Sequence, residues 1–205
     1  MRQLLQREAH LEWFDSFFGP KTGTQFYLCP AVLNGPSNYG AHLTRRGGQD
    51  LYCMLGVWEN DRDGRPFFDK SVLPTVIHEF THSYVNPLIF RHEAELEAPC
   101  TRLYARCRVA MERQAYGNWR TMALESLVRA CVIQYRAKYD GGLAGAAEML
   151  DQHNRGFTWI GELSKALDEY RQQRDRYPAL EPFMPRIIEA FKTGAGPATR
   201  PAADK

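Results

Sequence analysis

The sequence predicts an α+β fold. Three short runs rich in aromatic and β-branched residues come early in the chain, separated by the turn signals NGPS and RRGGQD. After the loop ENDRDGRP nearly all of the chain has helical character. Strands first and helices afterwards are typical of α+β proteins. With 205 residues, 44% of them hydrophobic, the chain is long enough to bury a core of its own.

The first elements are a helix and a small sheet. Apolar residues recur at helical spacing between Leu4 and Phe18, and Gly19-Pro20 ends that run. The β-type runs that follow predict strands over 26–33, 38–43 and 51–58. The turn signals between them favour a sheet that is mainly antiparallel.

The rest of the chain predicts a series of helices. Their expected breaks are Pro87, Gly117-Asn118, Asp140-Gly141-Gly142, Gly156 and Pro178. The closing stretch KTGAGPATRPAADK is poor in apolar residues, which predicts disorder. We therefore expect one domain over residues 1–192 and a disordered tail over 193–205.

Charge and hydropathy exclude two classes of partner. The 26 basic and 24 acidic residues are spread along the chain, so no basic stripe predicts binding to nucleic acid. Charged residues interrupt the apolar N-terminal stretch, which argues against a membrane span and against a signal peptide. The chain as given therefore predicts a cytoplasmic protein, or an exported one if the natural sequence starts further upstream.

The stretch VIHEFTHSYVNP, residues 76–87, carries the strongest functional signal. Ser71 as an N-cap and Pro74 in the first turn predict that it is helical. His78 and His82 then lie one turn apart on one face, close enough for both imidazoles to bind one metal ion. Glu79 follows the first histidine directly, as does the general base in the H-E-x-x-H signature of zinc hydrolases.

A plain structural interpretation competes with this one, because histidine pairs on helices are often satisfied by ordinary hydrogen bonds. The context favours zinc. The pattern lies on a capped and mostly apolar helix, where two histidines and a glutamate would be costly to bury without partners. We therefore predict one Zn²⁺ per chain, with His78 and His82 as ligands and Glu79 as the base.

A catalytic zinc usually has three protein ligands, so a third must come from elsewhere. Glu125, in ALESLVRACVIQY, lies at the margin of the apolar face of a predicted helix, where a carboxylate needs a cation. The alternative is an ion pair between Glu125 and Arg129 one turn later. His92 lacks the glycine that precedes the third histidine of metzincins, and Glu112 has Arg108 as an ordinary surface partner. Glu93, Glu95 and Glu97 lie in a strongly charged segment.

The segments HEFTHSYVNP and QAYGNWRTMALESLVRACVIQY together resemble the gluzincins, zinc peptidases of the thermolysin type. Within that group the chain is most similar to an uncharacterised bacterial family known as a domain of unknown function. The resemblance covers about residues 10–140. It implies a zincin-like fold, a glutamate ligand at Glu125 and peptidase activity. The 43 positions from His82 to Glu125 exceed the thermolysin spacing, which predicts an extra helix between the two motifs.

Peptide hydrolysis also needs a group that stabilises the oxyanion. Tyr116, in QAYGNW, resembles the tyrosine of the thermolysin connecting loop, and a plain packing role is its alternative. His153, at a predicted helix end, is a weaker catalytic candidate that could equally be a capping residue. Asn86 is either a residue that orients His82 or a helix cap.

In zincins an extended substrate pairs with the strand nearest the cleft. The run NYGAHL contains a glycine that would admit another backbone, whereas LYCMLGVW is more apolar and predicts an interior strand. Asn38, Tyr39 and Gly40 are therefore the predicted substrate edge, with a structural turn as the alternative.

The sequence thus predicts a zinc metallopeptidase that cleaves a peptide or protein substrate with a zinc-activated water and Glu79 as general base. Two alternatives stay open. One is a zinc hydrolase of a non-peptide amide or ester, which would use the same ligands and base. The other is an inactive binding module with the same fold, against which the intact Glu79 argues.

Overall fold

The computed structural model describes residues 2–197, with side chains from residue 4 onward. Two short helices open the chain, α1 (Arg2–Glu8) and α2 (Glu12–Phe18). The strands follow as β1 (Thr24–Pro30), β2 (Tyr39–Arg45), β3 (Gly48–Leu55), β4 (Glu59–Asn60) and β5 (Pro66–Phe67). The helices after them are α3 (Leu73–Arg91), α4 (Glu93–Glu112), α5 (Trp119–Tyr139), α6 (Gly142–Asn154), α7 (Ile160–Gln172) and α8 (Met184–Ala195). The chain is therefore α+β and mostly helical, as the sequence predicts.

The N-terminal run predicted as one helix is two helices. The helical conformation is interrupted between α1 and α2, where His10 has a positive φ of 43°. A left-handed backbone conformation cannot continue a right-handed helix. Trp13, Phe14, Phe17 and Phe18 of α2 are all buried in the core. The break thus lets the second helix turn its aromatic face inward.

The main sheet is mixed, which corrects the prediction of a mainly antiparallel one. Its strand order is β1-β3-β2, with β1 parallel and β2 antiparallel to β3. The strands reverse direction from one to the next along the chain. Because β3 carries the buried residues Leu51, Cys53 and Leu55, it takes the central position and pairs with both of the others. The parallel pairing follows from that order, and it leaves β2 at one edge.

Helix α3 crosses the inner side of the sheet and contacts both β2 and β3. The predicted end at Pro87 is wrong, because the helix continues to Arg91. An internal proline costs a backbone hydrogen bond. The residues just after it, Leu88 and Ile89, are buried in the core, and this packing outweighs the loss. The helix is preceded by a 3₁₀ turn that Asp69 caps by accepting from the N–H of Ser71, in place of the predicted Ser71 cap.

Helix α5 forms the centre of the helical part and packs against α3, α4, α6 and α7. Most of its residues from Met122 to Tyr135 are buried, so its surroundings are protein on almost every side. The predicted extra helix between the two motifs is present as α4. Among the described helices, none is both long enough and apolar enough to cross a membrane.

The last helix enters the segment predicted as a disordered tail. Helix α8 ends at Ala195, which is buried, and the guanidinium of Arg106 donates to the carbonyls of Gly194 and Ala195 at 3.2 Å. Residues 193–195 are therefore helical and attached to α4. Residues 196 and 197 follow without helix or strand, and residues 198–205 of the predicted tail lie outside the described residues.

Candidate metal centre

Two histidines from α3 converge at a cleft. The Nε2 atoms of His78 and His82 are 3.2 Å apart, and the side chain of each is 18% exposed. The Nδ1 atom of His82 lies 3.2 Å from Oδ1 of Asn86. An amide oxygen only accepts, so Nδ1 carries the proton and the Nε2 lone pair of His82 is free. Asn86 lies inside α3 rather than at its end, so it orients His82 and is not a helix cap.

Glu125 of α5 completes the cluster. Its Oε2 lies 3.4 Å from Nε2 of His78, and its Oε1 lies 3.4 Å from Nε2 of His82. Burial opposes ionisation of this carboxyl. The hydrogen bond and the charge of His78, together with the charge of Arg129, outweigh burial and lower the pKa of Glu125 to about 2. The carboxylate is therefore ionised and faces two imidazole nitrogens.

The donor atoms of these three residues have the spacing that a tetrahedral metal requires. All of them lie within 4.8 Å of one another. Zinc bonds of about 2.0–2.1 Å at tetrahedral angles separate two donors by about 3.3 Å. The two imidazole nitrogens are 3.2 Å apart, and each lies 3.4 Å from one oxygen of Glu125, His78 from Oε2 and His82 from Oε1. Two imidazoles and one carboxylate form a donor set that suits zinc, so the residues fit the ion.

Glu79 lies next to this cluster on α3, and it is only 8% exposed. Burial raises the pKa of the Glu79 carboxyl, and the charge of Glu125 raises it further. The charge of His78 and a hydrogen bond from the backbone N–H of Gly40 act in the opposite direction. A desolvated carboxyl beside the three donor atoms is suitably placed to exchange a proton with a bound water.

Tyr116 and Arg129 surround the outer side of Glu125. The Tyr116 hydroxyl donates to Oε2 of Glu125 at 3.1 Å, and Nη2 of Arg129 donates to the same hydroxyl oxygen at 2.7 Å. Burial raises the pKa of Tyr116 to about 12, and the charge of Glu125 contributes to the rise. Nη2 of Arg129 is also 3.3 Å from Oε2 of Glu125. The two roles that the sequence leaves open for Glu125, a place in the histidine cluster and an ion pair with Arg129, therefore occur together.

The cluster opens into a cleft with two adjoining lobes, which share Pro36, Asn38, His78, Glu79 and Tyr116 as lining residues. The β2 lobe, about 640 Å³, extends along the edge strand past Tyr39 and Gly40. The α6 lobe, about 530 Å³, extends towards polar side chains of that helix, among them Glu148, Asp151 and Gln152. The cleft thus runs past the three donor atoms in both directions.

The predicted substrate edge lines the β2 lobe, but its glycine has a different neighbour. A Cβ atom on Gly40 would lie 2.2 Å from the backbone oxygen of Glu79. The close backbone that needs a glycine is therefore that of α3. Asn38 has a structural role as well, because its Oδ1 accepts from the N–H of Gly56 at 2.9 Å. Tyr39 is exposed at the rim.

The structure does not bring His153 to the site. Its side chain is exposed near the end of α6, and it lines neither lobe of the cleft. The catalytic prediction for His153 does not fit this position, because α6 turns Glu148 and Gln152 towards the cleft instead. His92 contacts Glu95, and Glu112 contacts Arg108, so neither of these alternatives joins the cluster.

Gln152 is the residue of this region that the sequence does not reveal. It is 4% exposed and accepts from Nη1 of Arg129 at 2.6 Å. The two residues are 23 positions apart and meet only because α5 and α6 pack together. A single glutamine in α6 carries no local signal of such a contact.

A family model described as Domain of unknown function (DUF4932) matches residues 1–190 of the chain. No curated protein and no solved structure matches the chain.

Proposed function

The chain belongs to the DUF4932 family, and we propose that it is a zinc-dependent metallopeptidase of the gluzincin type. One observation carries the proposal. The two imidazole nitrogens and the carboxylate of His78, His82 and Glu125 converge at 3.2–3.4 Å from one another, close to the spacing of tetrahedral zinc ligands. A metal ion would bind all three groups at once, whereas a proton on Nε2 of His78 can be shared with only one or two of them.

Each residue of the cluster has a role in this proposal. His78 and His82 hold the ion through Nε2, and Asn86 fixes the ring of His82 in the tautomer that leaves Nε2 free. Glu125 supplies the third ligand from the neighbouring helix. Since α3 and α5 pack directly against each other in the core, the three ligands have a rigid base. Three protein ligands leave one position for water.

Glu79 is the proposed general base. When bound, zinc would lower the pKa of a coordinated water to about 7 and polarise the carbonyl of the substrate. The carboxylate of Glu79 would accept a proton from the attacking water and return it to the leaving amine. Its burial and the close approach of the β2 backbone at Gly40 support its place beside the cluster.

Tyr116 remains the proposed oxyanion donor, with one requirement that its contacts impose. Its single O–H proton goes to Glu125 in the structure, because Arg129 can only donate to the hydroxyl oxygen. To stabilise an oxyanion the hydroxyl would have to leave Glu125 when substrate binds. Tyr116→Phe tests this, since loss of an oxyanion donor reduces turnover about 100- to 1000-fold.

The proposed substrate is a peptide or protein segment bound along β2. The strand is at the sheet edge, and the β2 lobe runs beside it past the metal centre. An exposed edge can add a substrate strand through backbone hydrogen bonds. Asn38, Tyr39 and Gly40 would form the start of that edge.

Metal analysis combined with digestion of a broad peptide library tests the function. The proposal expects one zinc per chain and cleavage that stops in Glu79→Gln. Zinc without cleavage of any peptide would move the function to another amide or ester, or to a binding module with the same site. A purified protein that holds no zinc, even after incubation with it, would refute the proposal.

A further inference from the structure

A buried guanidinium lies directly behind the proposed metal ligand. The side chain of Arg129 is 11% exposed, and its plane lies over the ring of Phe157, 4.9 Å from the centroid. Nη1 donates to Gln152 at 2.6 Å, and Nη2 donates to the hydroxyl of Tyr116 at 2.7 Å. Gln152 in turn donates to Glu148 at 2.6 Å. The position of Arg129 is therefore fixed from two sides, by α6 and by Tyr116.

The two oxygens of Glu125 have different surroundings. Oε2 has the Tyr116 hydroxyl at 3.1 Å, Nη2 of Arg129 at 3.3 Å and Nε2 of His78 at 3.4 Å. The hydroxyl donates a hydrogen bond to this oxygen, and the guanidinium adds its charge at ion-pair distance. Oε1 has Nε2 of His82 at 3.4 Å, a nitrogen whose lone pair is free. Oε1 is thus the oxygen that is available to a metal ion.

We propose that Arg129, anchored by Gln152 and acting together with Tyr116, holds Oε2 of Glu125 so that the carboxylate binds the metal through Oε1 alone. This inference rests on the proposed zinc site. Arg129 is a positioning residue in it, because it acts through Glu125 and Tyr116.

The number of Glu125 oxygens that bind the metal determines how many coordination positions stay free for water and substrate. A carboxylate with both oxygens available can bind a cation in bidentate fashion. Together with the bound water, a second oxygen would make the site five-coordinate and would take the additional position that the substrate carbonyl needs. An Arg–Glu pair with a purely structural role would stabilise the buried charges, but it would not affect the number of ligands.

Cobalt-substituted protein measures the coordination number directly, because the visible d–d bands lose intensity when a four-coordinate site gains a fifth ligand. The variants are Tyr116→Phe, which removes the hydrogen-bond donor to Oε2, and Arg129→Gln, which removes the ion-pair partner of that oxygen. Tyr135→Phe and Arg171→Gln are the matched controls. Tyr135 is a buried tyrosine of α5 that donates to the carbonyl of Ala9, and Arg171 donates to Gln134.

We expect intense four-coordinate bands in the wild type and both controls, and a loss of intensity in Tyr116→Phe and Arg129→Gln. Spectra of the two variants that superimpose on the wild type would overturn the role of Arg129 and leave the zinc site intact. If the wild type binds neither cobalt nor zinc, the proposed function falls first and this inference with it. Should Arg129→Gln fail to fold, the spectrum of Tyr116→Phe tests whether Oε2 is held. That variant loses only one hydroxyl oxygen, so it should still fold.

Discussion

Replacing Gly40 with alanine should force the edge strand β2 away from α3. The new Cβ would lie 2.2 Å from the backbone oxygen of Glu79 and 3.0 Å from its carbonyl carbon. Ordinary contacts of a carbon atom are more than 3 Å, so the strand and the helix must separate by about 1 Å. Both neighbours are backbone atoms, which cannot rotate out of the way as a side chain can. Overpacking of this kind costs about 1–3 kcal/mol.

For a chain of this length, 205 residues, a loss of about 2 kcal/mol lowers the melting temperature by about 4–8 °C. Thermal unfolding of the metal-free protein measures this loss of stability. Zinc affinity should stay the same, because the three ligands are on α3 and α5. Turnover should fall, since the strand beside Glu79 moves and a shift of 1 Å can cost about 100-fold.

Gly161→Ala is the matched control for this variant. Gly161 lies in α7, and a Cβ there would have no atom within 4 Å. It should be neutral or slightly stabilising, by about 0.4–1 kcal/mol. If Gly40→Ala has the same melting temperature as the wild type, the close approach of β2 and α3 does not exist as described. The reason given for a glycine at this position would then be wrong.

Three further predictions concern the site. His78→Ala and His82→Ala should each abolish stoichiometric zinc in the purified protein, because each removes one of three ligands; metal retained by either variant would contradict the ligand assignment. Glu79→Gln should bind zinc like the wild type and lose turnover on a peptide substrate, since the amide keeps the shape but cannot take a proton; near-normal activity would place the base elsewhere. His153→Ala should leave both zinc content and turnover unchanged, because the side chain is exposed and lines neither lobe of the cleft; a large loss of turnover would reinstate His153 as a catalytic candidate.

Local patterns account for much of the fold. The change from a strand-like to a helical pattern predicted the α+β order, and Gly117-Asn118 and Asp140-Gly141-Gly142 do mark the start and end of α5. The sheet was predicted less well, because strand order depends on which strand the core buries most, and that is β3. The predicted helix end at Pro87 is wrong for a similar reason. Packing of Leu88 and Ile89 in the core is a tertiary effect that no local helix signal contains.

For the site, residue spacing within one helix predicted which side chains meet, whereas contacts between helices could not be predicted from the sequence. His78 and His82 are four residues apart, so helical geometry alone brings them together. The sequence presented the ligand role and the ion-pair role of Glu125 as alternatives, whereas its two oxygens allow both. The anchor at Gln152 depends on how α5 and α6 pack, and the neighbour of Gly40 depends on how α3 crosses the sheet.

The central claim is that Glu125 is a zinc ligand, and the zinc content of Glu125→Gln tests it most directly. The amide keeps the size of the side chain, but it is a poor zinc donor. Glu112→Gln is the control, because Glu112 is exposed and contacts only Arg108 at 3.6 Å among the described ion pairs. We predict one zinc per chain in the wild type and in Glu112→Gln, with affinity reduced by orders of magnitude in a folded Glu125→Gln. Full zinc content in Glu125→Gln would contradict the account and leave Glu125 as the buried partner of Arg129.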